Sequence, residues 1–180
     1  MDILELLLHP VRIRIVNAFS GERSRTTSEV CARLPDVSQA TVYRHVAVLA
    51  NAGVLAVADE KLVRGAVERH YRLVREHARL DRQAAAQMTV DDHRRAFTAA
   101  MAALIADFGA YLDTQTSAPS PDLIGYRQIP LWLTDAERVE LVHRLQEVLA
   151  PSMGRKPQTD RRQYLLSPIL FPVAEPPFEL

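Results

Sequence analysis

The 180-residue chain contains 22 Lys+Arg and 22 Asp+Glu, so its formal net charge is zero. With 48% hydrophobic and 24% charged residues, this composition excludes a mainly disordered chain, a uniformly basic chromatin-like protein and an acidic solvating chain. The charge is unevenly divided, since residues 1–80 carry 12 basic and 9 acidic side chains whereas residues 81–180 carry 10 and 13. This division favours two units with different partners, which we place at 1–78 and 79–180.

The first part of the chain predicts two helices. Residues 2–19 have apolar side chains at three- and four-residue steps, and the main helix is expected to begin near Pro10 because proline suits a first helical turn. A second helix is expected over 27–34, where Thr26 and Glu29 have the spacing of a capping box.

A third helix and a β-hairpin are predicted next. Ser38 is expected to cap a helix at 39–52, which Gly53 ends. Two β-like runs follow, at 54–62 and 66–74, and alternation in the second is typical of a half-buried strand. Three helices followed by a hairpin is the order of a winged helix-turn-helix.

The second half predicts a long helix and a small mixed region. A helix is expected at about 80–115, a Pro/Ser linker at 117–121, strands at 123–133 and 163–171, and a capped helix at 135–149 between them. The predicted fold class is mainly α with a small β component (α+β). It comprises an N-terminal winged helix-turn-helix domain, a long helix and a small C-terminal α+β region.

The third helix carries the residues that predict DNA binding. Val42, Val46 and Leu49 form one narrow apolar face, and at about 100° per residue the opposite face centres on Arg44. Small neighbours let that face approach a major groove, where Arg44 can bond to a guanine edge or a phosphate. The helix N-terminus suits a phosphate, and the hairpin tip suits the backbone or minor groove. The predicted DNA-binding residues are Ser38, Gln39, Thr41, Tyr43, Arg44 and Arg64.

Three segments of the chain closely resemble ArsR-like winged-helix transcriptional regulators: HPVRIRIV at 9–16, SQATVYRHV at 38–46 and LANAGVL at 49–55. The resemblance covers about residues 5–75. It implies a bacterial homodimer that binds a palindromic double-stranded DNA operator and regulates transcription. It places the recognition-helix contacts on Gln39, Thr41, Tyr43 and Arg44, with the wing at Arg64.

Metal, cofactor and membrane sites are not expected. Cys31 is the sole cysteine, and the six histidines show neither HxxxH nor HxH spacing, so metal sensing is not carried over from the resemblance. The start of the chain has no signal-peptide pattern, and no run approaches 18 apolar residues. We therefore expect a cytoplasmic protein without a metal, a cofactor or a membrane span.

Other interpretations concern the second half. A stripe of apolar residues at 97–112 suits either a helix–helix dimer interface or packing within one subunit. Phe97, Phe108, Tyr126 and Trp132 could instead line a pocket for a small-molecule effector.

An enzymatic second half is the alternative from another functional class, with the winged helix as an RNA- or protein-interaction module. The chain lacks a Gly-rich phosphate loop, GxSxG and HExxH, so we expect no enzyme. Asp91-Asp92-His93 is the one suggestive cluster, but consecutive helical side chains point about 100° apart and do not converge on one site.

Overall fold

The fold is a winged helix-turn-helix unit extended by two long helices. The computed structural model describes residues 3–21, 24–63, 65–78, 85–116, 125–153, 155 and 158–173. In chain order they form α1 (Ile3–Leu7), α2 (Pro10–Ala18), β1 (Arg25–Thr26), α3 (Thr27–Arg33), α4 (Gln39–Asn51), β2 (Leu55–Val63), β3 (Ala66–Leu73), a 3-10 turn (Arg75–Ala78), α5 (Val90–Asp113) and α6 (Asp135–Met153). The predicted α+β class with an N-terminal winged helix is confirmed.

Local capping fixes where the first helices begin. α2 begins at Pro10 as predicted, and the backbone N–H of Val11 donates to Nδ1 of the capping His9 at 3.2 Å. The capping box predicted for α3 forms as well: Glu29 N–H donates to Thr26 Oγ1 at 3.1 Å, and Thr26 N–H donates to Glu29 Oε2 at 2.8 Å. These reciprocal bonds satisfy backbone donors that a helix start leaves free.

The sheet has three antiparallel strands in the order β1-β3-β2. The predicted hairpin forms β2 and β3. The two-residue β1 was not predicted; its Thr26 lies opposite His70 and also caps α3. Arg25 is buried, and its Nε donates to the Ala18 carbonyl at 2.6 Å. The base of the hairpin is therefore attached to both α2 and α3.

One hydrophobic core lies between these helices and the sheet. The apolar face predicted on α4 is buried: Val42 and Leu49 are 0% exposed. Of the apolar residues on α3, Val30 is buried but Ala32 is exposed. The largest fully buried side chains are Phe19, Leu6, Ile15, Leu49, Leu55, Val30, Val42, Val46 and Val54.

α5 begins later than predicted and packs by an unexpected face. Thr89 and Asp92 form a capping box, so the helix starts at Val90 rather than near residue 80. Ala99 and Ala103 are buried, and α5 contacts α2. At 100° per residue, this alanine face is about 170° from the centre of the 97–112 apolar stripe. The stripe therefore points away from α2.

The two strands predicted in the C-terminal part are wrong. Residues 125–134 and 158–173 form no strand, and the described parts of both segments have no sheet partner. Pro130 and Pro168 cannot donate to a ladder, and the apolar side chains stay exposed, including Trp132 at 86%. The capping box predicted at Thr134 does form, and α6 extends beyond residue 149 to Met153. The linker predicted at 117–121 lies outside the described residues.

Gly53 has a conformation that other residues resist, so we expect Gly53→Ala to lower the free energy of unfolding. Its φ is +75°, and an added Cβ would lie 3.3 Å from His77 Nδ1. The left-handed backbone alone costs a non-glycine residue about 1–2 kcal/mol. Gly109→Ala is the control: it lies inside α5 with nothing within 4 Å of the added Cβ, so a gain of about 0.5–1 kcal/mol is expected. Urea unfolding measures both, and a Gly53→Ala protein as stable as the parent would contradict this account.

Candidate nucleic-acid interface

The outward face of α4 is an exposed polar surface of the helix-turn-helix. Gln39, Tyr43 and Arg44 are exposed, with Tyr43 at 54%, and the small side chains of Ala40 and Ala47 lie between them. This face is opposite the buried Val42–Leu49 side, as the helical period predicts. A helix with short side chains around an arginine and an amide can enter a major groove and bond to base edges.

Two of the predicted DNA-contact residues, Ser38 and Thr41, form hydrogen bonds with each other at the start of α4. Ser38 Oγ accepts the backbone N–H of Thr41 at 3.3 Å and donates to Thr41 Oγ1 at 2.8 Å. Ser38 is exposed and Thr41 is half-buried. Their hydroxyls therefore cap the helix, which fixes how its first turn is presented.

The hairpin of β2 and β3, which is the predicted wing, carries charges of both signs. Arg69 Nε donates to Glu60 Oε1 at 2.8 Å, and Lys61 Nζ is 3.7 Å from Asp59 Oδ2. Glu60 raises the pKa of Arg69 through this hydrogen bond. Arg64, the residue predicted for the wing tip, lies outside the described residues.

Arg14 bridges the turn before α4 to α5, and sequence reasoning did not single it out. It is 3% exposed; its Nη1 and Nη2 donate to Asp36 at 2.6 and 2.8 Å, and its Nε donates to Asp107 Oδ1 at 2.6 Å. The bidentate bond from Arg14 lowers the pKa of Asp36 and, reciprocally, raises that of Arg14. Asp36 precedes the Ser38 cap by two residues, so this network fixes the entry to the recognition helix. The sequence signal that could have identified Arg14 is a charged residue on the inner side of the predicted helix, next to Ile15.

A pair of histidines joins α2 to α4. The rings of His9 and His45 have centroids 4.3 Å apart, and His45 is 6% exposed with no hydrogen-bond partner on either nitrogen. Burial, together with the nearby charges of His9, Arg44 and Arg12, lowers the pKa of His45 to about 4. Burial also lowers the pKa of His9. His45 is thus neutral near pH 7 and packs between α2 and α4.

The acidic cluster at the start of α5 has a structural explanation. Asp92 belongs to the capping box, and hydrogen bonds from Thr89 lower the pKa of Asp92 to about 2. Asp91 pairs with Arg94 and Arg95. Within the described ranges, no three His, Cys, Asp or Glu side chains gather as a metal site.

The aromatic residues considered for an effector pocket do not enclose one. Tyr126 and Trp132 are 82% and 86% exposed, and Phe97 is 49% exposed. Phe108 contacts Tyr126 edge-on at 6.5 Å between centroids, and Phe97 contacts Phe171 at 6.4 Å. These pairs lie on the outer side of α5 and leave their rings open to solvent.

Comparison with known proteins agrees with the geometry of the first half. Residues 7–58 match the family model of a helix-turn-helix domain, and this range includes α2, α3 and α4. None of the curated proteins compared with the chain matches it. A helix-turn-helix domain points to DNA as a partner and to a regulator rather than an enzyme. The chain therefore carries a DNA-binding helix-turn-helix domain with a β-hairpin wing.

Proposed function

We propose that this protein is an ArsR-like transcriptional regulator that acts in the cytoplasm of a bacterium as a homodimer on a double-stranded DNA operator. Residues 1–78 bind DNA in this proposal, and residues 79–180 form the dimer and hold any small-molecule effector. The observation that carries it is the outward face of α4, where Gln39, Tyr43 and Arg44 stand exposed on a helix whose other side is buried.

Arg44→Ala tests the DNA-binding part of the proposal. An arginine bonded to a guanine edge or to a backbone phosphate contributes about 1–3 kcal/mol, so operator affinity should fall roughly tenfold to a hundredfold. The operator is first obtained by sequencing genomic fragments that the protein captures, and affinity is then measured by fluorescence anisotropy. Arg127→Ala, an exposed arginine of the C-terminal part, is the charge-matched control and should bind as the parent does.

Unchanged affinity in Arg44→Ala would contradict the docking of α4. The same assay with a single-stranded RNA separates the alternative function, because an RNA-binding module would prefer that probe to the duplex.

The apolar surface of the C-terminal part supports the homodimer. Ile105 is 72% exposed, and with Phe108 and Leu112 it lies on the stripe that faces away from α2. Monomeric proteins rarely expose contiguous apolar surface of this kind, and a stripe on one helix can pair with its copy.

α5 is also long and apolar enough to cross a membrane, judged by its length and composition alone, with a mean hydropathy of 1.3. Because Asp107 within it binds Arg14, we assign its apolar character to protein contacts.

Ile105→Glu tests the dimer. A carboxylate in the centre of an apolar interface is expected to convert a species of twice 20.2 kDa into one of 20.2 kDa in native mass spectrometry. Leu62→Glu, which changes a 77% exposed leucine on the wing, should leave the dimer intact. A dimer that tolerates Ile105→Glu would place the interface elsewhere, and the same spectrum shows whether a ligand co-purifies.

A further inference from the structure

Four basic side chains form a cluster where α2 meets α4: His9, Arg12, Arg44 and His45, here called the basic cluster. Arg12 lies one helical turn from His9, since the Arg12 N–H donates to the His9 carbonyl at 2.9 Å. Arg44 precedes His45 in α4, and the two histidine rings are in contact. The contact between the rings therefore brings an arginine of each helix to the same place.

Among the described residues, the two arginines of the basic cluster have no acidic partner, unlike Arg14, Arg69 and Arg144. Arg12 Nε and both ring nitrogens of His45 are buried without a hydrogen-bond partner, although buried polar groups nearly always have one. Within the part of the chain that the structure describes, no carboxylate forms an ion pair with Arg12 or Arg44. Arg14, two residues from Arg12, is by contrast fully paired. Arg12 and Arg44 thus carry positive charge with no described carboxylate paired to it, and Arg12 Nε is a donor without a partner. Together these indicate a place for an anion.

The position of the basic cluster suggests which anion. Among the exposed positions of α4, Arg44 is the nearest to the half-buried Val48 and to the buried His45. It therefore lies at the edge of the outward face on the side of α2, and not at the centre, where the helical period alone placed it. A helix lying in a major groove has the phosphodiester backbone along its edges, and arginines there position the protein without reading sequence. An anion held between α2 and that edge would thus be a backbone phosphate.

We propose that Arg12, together with Arg44, binds a backbone phosphate of duplex DNA at the edge of the recognition helix, and that the His9–His45 contact sets the spacing of the two arginines. This adds a contact from α2 to those of α4 and the wing. The inference rests on the proposed function, because the phosphate belongs to the DNA that α4 enters.

The salt dependence of binding tests the contact. A fluorescein-labelled 30-base-pair duplex of random sequence is titrated by anisotropy at several NaCl concentrations between 50 and 200 mM. Each phosphate contact contributes about 0.9 to the slope of log K against log salt. Arg12→Gln should therefore reduce the slope by about 0.9 for each subunit bound and weaken binding about eightfold per subunit at 0.1 M salt.

Controls separate this contact from folding and from the proposed function. Arg12→Lys keeps the charge and should restore the slope, and Arg127→Gln should leave it unchanged. Far-UV circular dichroism of Arg12→Gln should match the parent, because Arg12 Nε has no partner to lose. A parental slope in Arg12→Gln, with a reduced one in Arg44→Gln, would overturn the inference alone. A parent that does not bind the duplex would overturn the proposed function as well.

Discussion

Arg14→Ala is expected to lower the free energy of unfolding by about 3 kcal/mol, which is the lower end of what the loss of one partner of a buried ion pair costs. Arg14 is 3% exposed and donates to two carboxylates on separate elements, Asp36 before α4 and Asp107 in α5. The side chains of these partners are 39% and 25% exposed, so water can partly replace the lost bonds. Urea unfolding followed by circular dichroism measures the loss.

Three variants show whether the effect belongs to the network. Asp107→Asn leaves the bidentate bond to Asp36 and keeps an oxygen that can accept from Arg14 Nε, but it removes the charge of that bond, so it should cost about 1 kcal/mol. Arg94→Ala removes an arginine of a pair exposed on both sides and should cost less than about 0.5 kcal/mol. Arg14→Lys keeps the charge but loses the planar fork, so its stability should fall between those of the parent and Arg14→Ala. An Arg14→Ala protein within 0.5 kcal/mol of the parent would show that the network contributes little.

The second large effect is a loss of stability in mild acid. Burial lowers the pKa of His45 from 6.5 to about 4, so the unfolded chain takes up a proton at a higher pH than the folded one does. The stabilising contribution is thus complete above pH 6.5 and is lost as the pH falls towards 4. Between pH 7.5 and 5 this group alone should remove about 2 kcal/mol of unfolding free energy. His9, whose pKa is also lowered, acts in the same direction.

The pH effect is measured by urea unfolding at pH 7.5 and at pH 5, where most carboxylates are still ionised. His45→Leu has no imidazole to protonate, so its stability should depend less on pH over this range. His143→Gln changes a 64% exposed histidine of α6 and should keep the pH dependence of the parent. Equal pH dependence in His45→Leu and the parent would show that His45 does not set it.

The sequence predicted those parts of the fold that depend on neighbours in the chain. The Thr26–Glu29 capping box and the Ser38 cap form because their donors and acceptors lie three residues apart. β1 could not be predicted, since two residues carry no period and the strand exists by pairing with β3. The two C-terminal strands were predicted wrongly because a run of apolar residues forms a strand only where a neighbouring strand can pair with it.

In the candidate site, too, some features follow from the local sequence and others depend on how the helices pack. The exposed positions of Tyr43 and Arg44 follow from the helical period alone, so they could be predicted. The ion pairs of Arg14 span 22 and 93 residues and depend on how α2, α4 and α5 pack. His45 adjoins the apolar face of α4, and its burial against His9 depends on how α2 packs on α4, which the helical period alone does not give.

The double role of Thr26 has a consequence for the thermodynamics of binding. This one residue ends β1, which pairs with β3, the central strand of the sheet, and it caps the start of α3. The preceding Arg25 is bonded to the end of α2. A hairpin attached in this way loses little rotational freedom relative to the helices when both meet a duplex. The wing therefore loses its conformational entropy when the protein folds, and association with DNA has a correspondingly smaller entropic cost.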